Sequence, residues 1–458
     1  MKPIYLTNTL TKRKEEFKPI KAKRLTFYSC GPTVYDYPHI GNMRFFIVND
    51  IIKRAFLYNG YKVKHIINLT DVGHLTSNAD FGEDKMEKAK QREGKTAWDI
   101  AKFYTAAFKH DCQQVNTIPP TKYVKATSCI KEQIKLIELL EQKGFTYQTS
   151  DGIYFDTSKY QDYGKLGKIN LTNIQTGARV EMNREKKNKT DFALWKFSPK
   201  NVNRDMEWRS PWGIGFPGWH LECSVISTKN LGQPFDLHTG GIEHIPIHHN
   251  NEIAQSKAAY NKPLANFWLH LEHLNLASGK MSKSSGDFIT IHSLLEKNID
   301  PLAFRYFVLQ THYAKRILFS WEALQAAANG FKNLQYQISQ IKGKGKINQD
   351  YQNKFITAIN DNFNTPQALA FVWEILKDQK LTEPDKKATI LSFDKVLGLK
   401  LDKIKTIKIP TAIKTLAEER WQAKVAKDWN KSDQLRKDLE KKGYLIEDNI
   451  DSYIITKK

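Results

Sequence analysis

Arg24-Leu25-Thr26-Phe27-Tyr28-Ser29-Cys30-Gly31-Pro32, with Pro38-His39-Ile40-Gly41-Asn42 just beyond it, decides the fold. Arg24 to Cys30 alternates and is rich in aromatic and β-prone residues, which predicts a strand that Gly31-Pro32 ends. Gly41 to Tyr58 predicts a mostly buried helix closed by Asn59-Gly60. Tyr61 to Leu69 predicts a second strand. Such a βαβ unit implies a parallel sheet with ligands at the carboxyl ends of its strands, so Cys30 and His39 would both stand at that rim.

Beyond this unit, Glu83 to Glu93 reads as a charged helix, and Thr96-Ala97-Trp98-Asp99 resembles a capping box opening another through about His110. Ile130 to Lys143 is amphipathic and stops at Gly144. Phe145 to Asp156 alternates around Ser150-Asp151-Gly152, a hairpin signal. The stretch up to about Arg209 therefore reads as an insertion interrupting the sheet, with a charged loop at Arg184 to Thr190. Sheet-like patterning resumes at Phe235-Asp236-Leu237-His238. Trp321 to Ile341 predicts a helix, Lys342-Gly343-Lys344-Gly345-Lys346 a linker, and two or three helices follow to about Leu399. After Ile409-Pro410 one helix carrying Lys424, Lys427, Lys431 and Arg436 runs to Gly443, and a small hairpin spans Tyr444 to Ile455.

The 458 residues allow two to four domains, and 40% hydrophobic with 26% charged residues describes a soluble globular chain. No apolar run is long enough to span a membrane, so the expectation is a soluble, cytoplasmic protein. A net charge of +22 favours a polyanionic partner, and a folded nucleic acid fits better than a membrane surface. Cys30, Cys112, Cys129 and Cys223 are too few for a disulfide framework and contain no Cys-x-x-Cys pair. Any metal site must therefore be assembled from distant segments.

Four groups of residues carry chemistry. His39 stands at a helix start, where free N–H groups and the helix dipole favour phosphate, and Gly41 leaves room for a nucleotide. A capping turn with a surface histidine fits the same residues. Lys280-Met281-Ser282-Lys283-Ser284 sets two lysines among serine and glycine, suited to a leaving pyrophosphate, or to a plain linker. Gly240 and Gly241, placed after a strand, allow backbone to approach a ligand or simply make a tight turn. His248 and Glu252 share a helix face at i, i+4 and could join Cys30 and Cys223 as a Cys₂HisGlu metal set; buried cysteines and a surface His/Glu pair also fit.

Taken in order, these motifs resemble the class I cysteinyl-tRNA synthetases nearly end to end. The likeness includes Asn8-Thr9-Leu10-Thr11, Tyr28 to Asp36, Asn68-Leu69-Thr70-Asp71, Asp191 to Lys196 and Ser210-Pro211-Trp212-Gly213. It continues through Pro217 to Ser224, His248-His249 with Asn251 to Ser256, the lysine loop, and Asp361 to Pro366. The resemblance implies an α/β fold: a Rossmann-like parallel-sheet catalytic domain (1–95 and 210–275) with an inserted α+β connective domain (96–209). A connecting domain with the lysine loop (276–320), a helical anticodon-stem domain (321–402) and a small α+β anticodon-binding domain (403–458) would follow.

It further implies ATP-dependent activation of L-cysteine to cysteinyl-adenylate and transfer to the terminal adenosine of tRNA(Cys), by a monomer. Zinc would be held by Cys30, Cys223, His248 and Glu252 and would bind the substrate thiolate, with Mg2+ accompanying ATP. His39, Gly41, Asn42, Gly240, Gly241, Lys280 and Lys283 would serve ATP and catalysis. Cys30, Thr70, Trp219 and His238 would form the cysteine pocket.

Three positions depart from the family's commonest pattern. Asn42 replaces the last histidine of the class-wide His-Ile-Gly-His signature, Val72-Gly73-His74 replaces an acidic run, and Glu243-His244 stands between His238 and His248. Two other readings share much of the signature: a cysteine:amino-sugar ligase, and an inactive tRNA-binding paralogue. The basic C-terminal helices and hairpin argue against the first, and the complete ligand set against the second.

Overall fold

The computed structural model describes residues 2–73, 85–167, 184–199, 204–276, 288–404, 409–448 and 453–457. The expected βαβ unit is present: strands Arg24–Ser29 and Lys62–Leu69 pair in parallel around helix Ile40–Tyr58. They belong to a five-stranded sheet whose order is Ala265–Leu271, Phe235–Gly241, Arg24–Ser29, Lys62–Leu69, Lys122–Lys125, parallel throughout. The chain first builds outward from Arg24–Ser29, then returns to add strands on its other side. That reversal leaves a crevice between the ends of Arg24–Ser29 and Phe235–Gly241, the place where ligands bind in open α/β sheets.

Several features differ from the sequence-based expectation. Lys122–Lys125, which falls inside the expected insertion, adds an edge strand to the parallel sheet. The antiparallel sheet beyond it joins Thr146–Thr149, Gly152–Phe155, Phe192–Phe197, Gly213–Pro217 and Trp208–Ser210, so it runs past Arg209. Phe235–Gly241 also extends past His238, and Gly240-Gly241 are the strand's last residues rather than a turn after it.

Helix Ile40–Tyr58 organises the molecule because it is buried along most of its length. Near its start, the Arg44 guanidinium donates to the carbonyls of Glu272, His273, Tyr313 and Lys315. Near its middle, Asp50 Oδ2 accepts from Arg54 Nε at 2.7 Å and from Arg305 Nη2 at 2.6 Å. Arg305, fully buried, also donates to the carbonyls of Leu397 and Val115. Gly398 ends helix Glu383–Leu397 at φ +67°, and a Cβ there would lie 2.5 Å from that guanidinium. Gly398→Ala is therefore expected to cost more than about 1 kcal/mol, measured by urea denaturation.

Helices Trp321–Gln340, Gln349–Asn360, Thr365–Lys377 and Glu383–Leu397 continue this core, with Phe355 stacked on Phe393. A separate small cluster (Ile409, Ile413, Ala417, Leu439, Ile446, Ile455) holds the C-terminal segment. The single helix expected over Lys424 to Arg436 is two, Thr411–Val425 and Trp429–Lys441. Lys427 breaks it at φ +62°, and Asp428 restarts it by accepting from the Lys431 N–H. The hairpin is present as Tyr444–Asp448 against Tyr453–Lys457. No helix among the described residues is long and apolar enough to cross a membrane.

Candidate metal centre and nucleotide cleft

Cys30 is placed by backbone. Its N–H donates to Thr239 O at 3.3 Å, and the next residue, Gly31, lies so close to Asn68 that a Cβ would sit 1.7 Å from Asn68 O. Across the crevice, helix His248–Tyr260 presents a buried first turn. Ligand atoms of Cys30, His248, His249 and Glu252 all lie within 4.8 Å of one another, and all four residues are buried. Cys223, on the buried face of helix Trp219–Leu231, lies near enough to Cys30 for each thiol to shift the ionisation of the other. Three of the four residues expected to hold a metal, Cys30, His248 and Glu252, are thus brought together with His249, and Cys223 is not within that group.

Electrostatics divides the two thiols. Burial opposes the Cys30 thiolate, but the hydrogen bond with Cys223 and the charges of His244 and His249 hold its pKa well below the usual thiol value. Burial, with Cys30 and Glu252 nearby, pushes Cys223 well above it. His248 Nε2 and Glu252 Oε1 stand 3.1 Å apart yet form no hydrogen bond, and neither buried atom has another such partner. Two buried ligand atoms left without a hydrogen-bond partner beside the Cys30 thiol suit a divalent cation such as zinc. Each imidazole is braced through its other nitrogen: His248 Nδ1 lies 2.8 Å from His220 Nδ1, and His249 Nδ1 lies 2.7 Å from His270 Nε2. Such outer partners fix tautomer and ring orientation.

The expected cysteine-pocket residues surround this group. Trp219 stacks on His248 with ring centroids 4.3 Å apart. The Thr70 hydroxyl donates to Glu222 Oε1 at 2.5 Å. His238 is fully buried, and its Nε2 lies 2.9 Å from Glu252 Oε2, so it meets the pocket through that carboxylate. Gly240 and Gly241 keep their open sides for the protein's own groups. A Cβ on Gly240 would lie 2.4 Å from His249 and 2.7 Å from His244, and one on Gly241 2.2 Å from the Glu243 carboxylate.

Sequence reasoning missed the second layer, His220, Glu222, His249 and His270. Its one available signal was density, since six of the thirteen histidines (220, 238, 244, 248, 249 and 270) meet at this crevice. His244, noted only as a departure, sets its ring 5.0 Å from His248 and edge-on to Trp219.

His39 caps helix Ile40–Tyr58. Its Nδ1 accepts from the Asn42 N–H, and Asn42 Oδ1 accepts from the His39 N–H, each at 3.2 Å. Asn42 therefore closes a reciprocal capping box in place of the class-wide histidine. A Cβ on Gly41 would meet the His39 ring at 2.9 Å, so glycine is what lets the histidine fold over the helix start. Asn42→Ala is expected to cost about 1 kcal/mol of stability in thermal or urea melts. Pro32, Tyr35, Tyr37, His39, Asn42 and Phe288 line one cleft. Lys280 and Lys283 lie outside the described residues, as does His74. Both flanks of the lysine segment are described: Ile40 N donates to Ile289 O at 2.9 Å, and His39 bridges to Thr290.

The family model of the class I (C) tRNA synthetase catalytic domain matches residues 16–329. A cysteine–tRNA ligase of Burkholderia lata is 45% identical over 449 residues, covering 97% of this chain and 95% of that protein. One from Treponema denticola is 40% identical, covering 97% and 98%. Among solved structures, a LeuRS–tRNA–LeuAMS ternary complex from Agrobacterium radiobacter superposes with a TM-score of 0.61 at 11% identity, covering 85% of each chain. Methionyl-tRNA synthetase of Mycobacterium tuberculosis gives 0.55 at 13% identity, covering 82% of this chain and 90% of that one. The last two show that the catalytic fold is shared across class I synthetases; the near full-length identity to the first two shows that the chain belongs to the cysteine–tRNA ligase family.

Proposed function

We propose that this cysteine–tRNA ligase selects its amino acid with zinc held by Cys30, Cys223, His248 and Glu252. The observation that carries this reading is the buried, unsatisfied pair His248 Nε2 and Glu252 Oε1 beside two thiols. Serine and cysteine are near-isosteres, and shape alone separates such pairs weakly. Bound there, zinc supplies a soft Lewis acid that prefers a thiolate to a hydroxyl.

Around that point the protein's own groups do the positioning. Trp219 walls the amino acid against His248, and His238 orients the Glu252 carboxylate. His39 and Gly41, at the free N–H groups of a helix start, receive the ATP phosphates. Lys280 and Lys283 neutralise the charge growing on the leaving pyrophosphate, and Mg2+ accompanies the nucleotide. The cysteine carboxylate attacks the α-phosphate to give cysteinyl-adenylate, and the 3'-terminal ribose of tRNA(Cys) then takes the cysteinyl group and releases AMP.

The domain division outlined from the sequence is retained with two changes: Lys122–Lys125 counts with the catalytic sheet and Gly213–Pro217 with the insertion. The basic segment from Trp321 onward engages the tRNA, and the protein acts as a cytoplasmic monomer. Purified protein with ATP, cysteine and tRNA is expected to support both pyrophosphate exchange and charging of tRNA(Cys), with serine a poor substrate for either. Exchange without charging would instead indicate an amino-sugar acceptor, and neither activity an inactive paralogue.

A further inference from the structure

Asn8-Thr9-Leu10-Thr11 belongs to the sequence signature, yet the reaction as described gives it no task. It sits at the turn of hairpin Tyr5–Asn8 and Arg13–Glu16, against the edge strand Ala265–Leu271. Asn8 Nδ2 donates to Asn266 O at 3.1 Å, Asn8 Oδ1 accepts from the Trp268 N–H at 3.1 Å, and the Thr9 N–H donates to Trp268 O at 2.8 Å. These bonds fix the backbone at Thr9 and turn its side chain toward the sheet. Thr9 Oγ1 then lies 2.8 Å from His270 Nδ1. His270 Nε2 lies 2.7 Å from His249 Nδ1, and His249 Nε2 lies 3.3 Å from Cys30 Sγ. An unbroken line of contacts thus joins a half-buried hydroxyl to a sulfur of the metal set.

A neutral imidazole has one N–H and one lone pair, so each ring passes polarity to the next. With the Thr9 hydroxyl donating to His270 Nδ1, His270 Nε2–H donates to His249 Nδ1, and His249 Nε2–H donates to Cys30 Sγ. The reverse polarity would aim a lone pair at a sulfur that offers only lone pairs once it is a thiolate, the form that binds metal. We infer that Thr9 is a positioning residue for the metal centre, its hydroxyl fixing through His270 and His249 the N–H that supports the Cys30 thiolate. The inference rests on the proposed ligand set, with Cys30 inside it and His249 outside. Valine matches threonine in shape but has no hydroxyl, so it would leave His270 Nδ1 unpartnered and the tautomer unset.

The test uses the full chain loaded with zinc, and separately with cobalt, in wild-type, Thr9→Val and Thr9→Ser forms. Thr9→Val is expected to weaken zinc binding roughly 10- to 100-fold in competition with a chromophoric chelator. It should also shift the sulfur-to-cobalt charge-transfer band and raise KM for cysteine in pyrophosphate exchange while leaving KM for ATP unchanged. Thr9→Ser should restore wild-type values. His270→Phe breaks the same line at its next member and carries the test if circular dichroism shows that Thr9→Val does not fold. Its loss should match that of Thr9→Val, and the double variant should be no worse than either. Wild-type zinc affinity with an unshifted cobalt band in both variants, or additive losses in the double variant, would overturn the inference and leave the ligand set standing. A wild-type protein that binds no zinc would instead overturn the ligand set.

Discussion

Cys223→Ser is expected to abolish metal binding and the preference for cysteine over serine in one step. Cys223 is 1% exposed, and the charges of Cys30 and Glu252 bear on its thiol. Burial holds its thiol protonated in the metal-free protein, so a cation must displace that proton to take the site, which it does readily from sulfur and poorly from a hydroxyl. Serine fills nearly the same volume, so packing is preserved and the loss reports on ligand chemistry. Elemental analysis should find about one zinc per wild-type chain and only traces in the variant. Cysteine-dependent pyrophosphate exchange should fall by more than about 100-fold, beyond what losing a mere supporting contact costs. Full retention of zinc would give the fourth position to His249, which lies 3.3 Å from Cys30 Sγ and 3.8 Å from Glu252 Oε1.

Asp50→Ala should have the largest effect on stability. The Asp50 carboxylate accepts from Arg54 and Arg305 through one oxygen and from the Ile118 N–H through the other. Arg305 has no exposed side-chain surface, so removing its carboxylate strands a buried charge. Breaking one side of such a pair costs about 3–5 kcal/mol, a large share of the 5–15 kcal/mol typical of whole domains. Urea denaturation should show that loss. Arg54→Ala should cost markedly less, because Arg54 is at the edge of the network, 11% exposed, and its removal leaves Asp50 paired with Arg305. A small effect of Asp50→Ala would mean that water reaches Arg305 once the helix loosens.

The βαβ unit was legible because its signals are local: alternation over Arg24 to Ser29, Gly31-Pro32 as a stop, Asn59-Gly60 as a cap. Lys122–Lys125 was not, since Lys-Tyr-Val-Lys is too short and too charged to alternate, and only pairing with Ile66 to Leu69 makes it a strand. The break at Lys427 hid among residues that all favour helix, with Asp428 its only trace. At the site, the chemistry-bearing side chains were legible because few residue types hold metal or phosphate. Their supports were not, because Thr9, His220 and His270 matter only through neighbours that folding brings to them. Asn42 shows the limit of motif spelling, for its amide completes a helix cap, which no comparison of letters reveals.

The described residues on either side of 277–287 both bond beside the same helix start. Arg44 grips the carbonyls of Glu272 and His273 before it, and the backbones of Ile289 and Thr290 bond to Ile40 and His39 after it. The described flanks of residues 277–287 are therefore moored to one helix start, the one at which ATP is proposed to bind. With the lysines serving pyrophosphate as proposed, inserting a few glycines between these two anchors is expected to slow pyrophosphate exchange with every chemical group still in place.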